Sequence, residues 1–101
     1  MIGPVPQLSV RRARVTAKGM LTPLQLRAAR VLVGWTRQDL AKHSGTSPDT
    51  VQGFENRGTD PKLSTLGKWR RALERAGVVF IDPDYDMGPG IRLRTGAKQR
   101  P

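Results

Sequence analysis

The residues best placed to do chemistry in this chain lie between Thr36 and Glu55. The spacing there fits two short helices joined by a tight turn. Ala41 is small where the helices must touch, Gly45 sits in a turn that needs positive φ, and Val51 and Phe54 turn inward. Ser47, Pro48, Asp49, Thr50, Gln52 and Gly53 are then expected to face outward on the second helix. The chemistry such groups offer is recognition of base edges in a DNA groove. Gln52 can bond adenine, Asp49 can accept from cytosine, and Thr50 or Pro48 can touch a thymine methyl. Asp49 has an alternative role as a stabiliser of the helix start, and it would repel a nearby phosphate.

Catalytic chemistry is poorly supplied. His43 is the single histidine, and no carboxylate triad accompanies it. With no cysteine, disulfides and thiolate metal sites are excluded. Asp82, Asp84 and Asp86 alternate as some calcium loops do, but no glutamate follows at the EF-hand position. A turn rich in acids is the simpler reading. No glycine-rich phosphate loop is present, so neither enzymatic activity nor a cofactor is expected.

Charge points the same way as the helix pair. The chain has 101 residues, enough for one small domain, with 18 Lys+Arg against 8 Asp+Glu and a net charge of +10. A basic excess this large is the footprint of a polyanion partner. Double-stranded DNA is the favoured partner, and an anionic membrane surface is the main competitor. No apolar run approaches the roughly 18 residues of a membrane span, and the N-terminus lacks the apolar segment of a secretory signal. A cytoplasmic, nucleoid-associated protein without a membrane partner is the expectation. Arg11, Arg12, Arg14 and Lys18 fall in an opening segment with no acid, alongside Gly3, Pro4, Pro6 and Gly19. Residues 1–19 read either as a flexible basic arm or as a solvated terminus. As an arm, Arg11, Arg12 and Arg14 would track the adjacent minor groove.

Around the central pair the pattern predicts further elements. Thr22-Pro23 opens a first helix with Leu26, Ala29, Arg30 and Val33 at helical spacing, and Gly34 ends it. Trp35 is expected to plug the core. Thr36 caps the second helix, with Asp39 in its first turn. Ser47, Pro48 and Asp49 open the third. Leu63, Leu66, Trp69, Leu73 and Ala76 form the apolar stripe of the longest helix, which Asp60-Pro61 or Ser64 would cap. Val78–Ile81 and Ile91–Arg94 then read as a small β-hairpin. Arg30 lies on the apolar stripe of the first helix; it needs a buried partner there or must snorkel to solvent.

At these residues the chain resembles the helix-turn-helix domain of the Xre/Cro family of phage-repressor-type regulators. The likeness runs from Leu26 to Leu73. It is carried by Leu26-Arg-Ala-Ala-Arg30, Leu40-Ala41, Gly45, Val51, Phe54-Glu-Asn56 and Thr65-Leu66. The tail, Gly77-Val-Val-Phe-Ile81 with Gly88-Pro-Gly-Ile-Arg-Leu-Arg94, resembles a small subgroup of bacterial regulators of this type. The resemblance implies a buried ion pair between Arg30 and Glu55. It also implies phosphate contact by the residue opening the second helix, here Arg37 with Gln38 next; the alternative for Arg37 is a solvated charge. Asn56 and Arg57 match positions that touch the DNA backbone on the other side. Gly53 departs from the family, where a long polar or basic side chain is common; it either permits close approach to DNA or is simply tolerated.

The expected protein is mainly α. A flexible basic arm (1–19) precedes a four- to five-helix domain (20–77), a hairpin that could pair two subunits (78–94) and a frayed tail (95–101). The resemblance implies transcriptional regulation, usually by a homodimer on paired half-sites. Two alternatives stay open: an antitoxin that binds a toxin and its own promoter, and an activator that contacts RNA polymerase.

Overall fold

The structure is a computed structural model, and it describes residues 21–97. The basic segment with Arg11, Arg12 and Arg14, and the last residues from 98 on, lie outside the described residues. Among the described residues, four helices are followed by a two-stranded hairpin: α1 (Pro23–Leu32), α2 (Arg37–Ser44), α3 (Pro48–Arg57), α4 (Leu63–Arg75), β1 (Val78–Ile81) and β2 (Gly90–Leu93).

The helix starts follow from local side-chain chemistry. Thr22 Oγ1 accepts the Gln25 amide (3.0 Å) while Gln25 Oε1 accepts the Thr22 amide (3.1 Å), and Pro23 holds the first helical position of α1. Thr36 and Asp39 repeat this reciprocal cap at α2, at 3.0 and 2.8 Å. Ser47 Oγ accepts the Thr50 amide at α3 (3.2 Å). Helix α4 differs from expectation. It starts at Leu63 with Lys62 at the cap position and no side-chain capping bond, so neither Asp60 nor Ser64 serves. Leu63 is 75% exposed, so the inward stripe of α4 begins at Leu66.

The core forms where the helices converge. Trp69, Leu26, Leu40, Leu73, Val51 and Val78 are its largest fully buried side chains. Burying each such side chain contributes about 1.5–3 kcal/mol relative to leaving it exposed. Trp69 lies at the centre. Its ring sits 5.4 Å from that of Phe54 on α3, and its Nε1–H donates to Thr46 Oγ1 at 2.9 Å. Thr46 Oγ1 also lies 2.9 Å from Ser44 Oγ, which donates to the Leu40 carbonyl (2.7 Å). The turn between α2 and α3 is therefore fastened to α4. Gly45 in that turn has φ of 72°, a left-handed conformation costly for residues with a Cβ.

Trp35 departs from its expected place. It packs on the rim of the core, half-buried, and stacks on His43 with centroids 4.2 Å apart and planes 8° from parallel.

The hairpin closes the far side of the domain. Its strands pair antiparallel with Val78 opposite Leu93 and Phe80 opposite Ile91, and β2 begins at Gly90, one residue before the expected start. Val78 and Phe80 are buried, and Ile91 and Leu93 pack against the core from β2. Gln25 carries the link to α1: its Nε2 donates to the Gly90 carbonyl (3.0 Å) and the Ile81 carbonyl (3.4 Å). The Arg70 guanidinium lies over the Phe80 ring at 5.0 Å. In the connecting loop, Asp84 Oδ1 accepts the amides of Asp86 and Met87 (3.0 and 2.8 Å), a turn-forming use of that carboxylate.

Candidate nucleic-acid interface

Helix α3 has two chemically distinct sides. Val51 and Phe54 are buried against the core, and the Glu55 side chain is completely buried. Pro48, Asp49, Thr50, Gln52, Asn56 and Arg57 are exposed. A rotation of about 100° per residue accounts for the division, since the core-facing residues fall together on one side of the helix. Ser47 is exposed as well, but its hydroxyl is engaged in capping.

Beside α3, the start of α2 closes a polar cleft of about 450 Å³. Its walls bring together Arg37, Gln38, Pro48, Asp49 and Gln52, five of the residues expected from sequence to contact DNA, with Arg30 and Thr36. The cleft is an amphoteric surface, with cationic and amide donors on the α2 side and a carboxylate on the α3 side.

Glu55 is the electrostatic centre behind this surface. Its two oxygens accept from Arg30 Nε and Arg30 Nη2, both at 2.9 Å, in a bidentate pair. Arg30 Nη1 also donates to the Trp35 carbonyl at 2.8 Å. A second arginine completes the cluster. Arg37 Nε donates to Glu55 Oε1 at 3.3 Å and Arg37 Nη2 donates to Asn56 Oδ1 at 3.2 Å. Arg37 is thus no freely solvated charge: two of its N–H groups tie the start of α2 to the end of α3. One carboxylate facing two guanidiniums leaves the junction net positive, a favourable field for phosphate.

Gly53 has a neighbour that the sequence did not reveal. It points to the outer side of α3 as expected, yet it is buried rather than bare. A Cβ placed there would come within 3.1 Å of Arg57 Nη2 and 3.5 Å of Thr59. The side chain of Arg57 folds back over it and covers the backbone there.

Several ties were not legible beforehand. Arg37 as a second partner of Glu55, Thr46 as the acceptor for Trp69, and Gln25 as the link to the hairpin all join residues far apart in sequence. Only the Arg30 position carried a signal, a charge on an apolar stripe.

Among the described residues no group of three or more His, Cys, Asp or Glu is placed to hold a metal ion, and no helix is long and apolar enough to cross a membrane. A family model described as Helix-turn-helix matches residues 26–77. Over 36 residues the chain is 50% identical to Antitoxin HigA1 of Mycobacterium tuberculosis, in strain CDC 1551 / Oshkosh and equally in strain ATCC 25618 / H37Rv. That stretch is 36% of this chain and 24% of each relative, so the chain matches about a quarter of the length of these curated relatives.

Proposed function

The chain belongs to the helix-turn-helix family, and we propose on that basis that it is an antitoxin-type regulator, binding double-stranded DNA at its own promoter and pairing with a toxin. The family and the fold make it a helix-turn-helix domain capable of DNA binding and gene regulation. The likeness to Antitoxin HigA1 is the observation that favours the toxin partnership over a free-standing regulator.

The DNA contact is assigned to α3 and the start of α2. Gln52, Asp49 and Thr50 present hydrogen-bonding groups on an exposed helix side, with Pro48 beside them for apolar contact with a thymine methyl. Gln38, at the opening of α2, faces the same cleft. Arg37, held by Glu55 and Asn56, sets positive charge where a phosphate would pass. Two copies with recognition helices about 34 Å apart would read paired half-sites on one face of the duplex. Strand β2 is the candidate edge for pairing the copies.

Two measurements test this reading. A fluorescent duplex from the chain's own promoter should bind in the nanomolar range at low salt, with affinity falling steeply as salt rises. Expression of the neighbouring reading frame should arrest growth, and co-expression of this chain should relieve the arrest. Promoter binding without relief of arrest refutes the toxin partnership and leaves the DNA regulator standing.

A further inference from the structure

Gly53 and Arg57 form a unit on the outward side of α3. At about 100° per residue, Gly53 projects between Asp49 and Thr50, both exposed. The space a side chain at 53 would fill is taken by the Arg57 guanidinium, with Nη2 placed 3.1 Å from a Cβ built there. Side chains on a helix lean toward its N-terminus and cover the turn before their own Cα. Glycine at position 53 lets the long Arg57 side chain use that lean fully and lie flat on the backbone. Among the described residues Arg57 makes no ion pair, whereas Arg30 and Arg37 are tied to Glu55 and Arg70 to Glu74. Gly67 and Arg71 on α4 pack in the same way, so the packing itself is general. Its position on the polar side of α3 is what distinguishes the Arg57 pair.

We propose that Arg57 is a base-reading residue, in place of the backbone contact that the family resemblance implies for it, its guanidinium laid across Gly53 so that it meets the O6 and N7 acceptors of a guanine in the major groove. The proposal rests on the reading of α3 as the DNA-facing helix. The planar guanidinium offers two parallel N–H donors in a fixed fork that match those acceptors. Gly53 is the positioning residue: it touches no base and clears the path for Arg57.

The test selects bound duplexes from a randomised pool with the full chain, followed by titration of the selected duplex and its single-base variants. The unaltered chain is expected to enrich guanine at one position of each half-site. Arg57→Ala removes the donors and should lose about tenfold discrimination there. Gly53→Gln leaves Arg57 intact, fills its resting place and should produce the same loss. Glutamine is the better helix former, so this variant is expected to fold, and a thermal melt checks it. Identical preferences in all three proteins overturn the proposal. So does a loss in Arg57→Ala that is uniform across sequences and lowers the salt slope by about one, because that pattern marks a phosphate contact. A chain that enriches no sequence overturns the DNA-reading premise itself, an outcome distinct from a clear motif that the variants leave unchanged.

Discussion

Replacing Glu55 by alanine is the sharpest test of how this domain is held together. The Glu55 side chain is fully buried and takes three N–H donors, two from Arg30 and one from Arg37. Removing it leaves the Arg30 guanidinium, with a side chain only 10% exposed, with the Trp35 carbonyl as its remaining acceptor. Breaking a buried pair by deleting one partner costs about 3–5 kcal/mol, because the other charge stays desolvated. Arg37 is 34% exposed and can recover solvation, so its lost bond adds about 1 kcal/mol or less. Against a domain stability of about 5–15 kcal/mol this is a large fraction. The midpoint of a thermal melt should fall by about 15–30 °C for a domain of this size. Urea melts followed by circular dichroism supply the free energy. The double change Arg30→Met with Glu55→Leu should be far milder than Glu55→Ala, since it removes both buried charges together. A loss below about 1 kcal/mol in Glu55→Ala would refute the argument, because that is the response of a solvated surface pair.

Three further outcomes are expected. Thr46→Val keeps the shape of the turn but orphans the Trp69 Nε1–H, and should cost about 1–3 kcal/mol in a urea melt; no change would show that the indole finds another acceptor. Gln25→Leu removes the bonds to the Gly90 and Ile81 carbonyls, so amide exchange in β1 and β2 should accelerate about tenfold while exchange in α3 stays slower; equal acceleration throughout would show that the hairpin and helices open as one unit. Deleting residues 1–18 removes Arg11, Arg12, Arg14 and Lys18. If these contact phosphate, promoter affinity should fall and the slope of log affinity against log salt should flatten by about 3–4; an unchanged slope removes the arm from the interface.

The elements were legible in the sequence because their signals are local. Thr22, Thr36 and Ser47 cap within three residues of themselves, and Gly45 answers to its own φ. The start of α4 was misjudged for the matching reason: Asp60 and Ser64 have the right chemistry, but the chain enters helix at Leu63 with no side chain capping it. Leu63 has helical spacing and an apolar side chain, yet nothing packs over it, and periodicity alone cannot report what lies across the gap. Within the interface, the outward direction of Asp49, Thr50 and Gln52 followed from the inward pull of Val51 and Phe54. What covers Gly53 did not follow, because it depends on which rotamer Arg57 takes one turn later.

The tether between Thr46 and Trp69 bears on how portable this motif is. The bend between α2 and α3 is set partly by an indole 23 residues further along the chain. A graft of the two helices alone onto another scaffold would carry the side chains of α3 and leave behind the clamp that aims them. Asp49, Thr50 and Gln52, by contrast, take no part in the buried core. On the proposed reading of α3, new target preferences are therefore better written into those positions of the intact domain, where substitution would redirect recognition while leaving the core untouched.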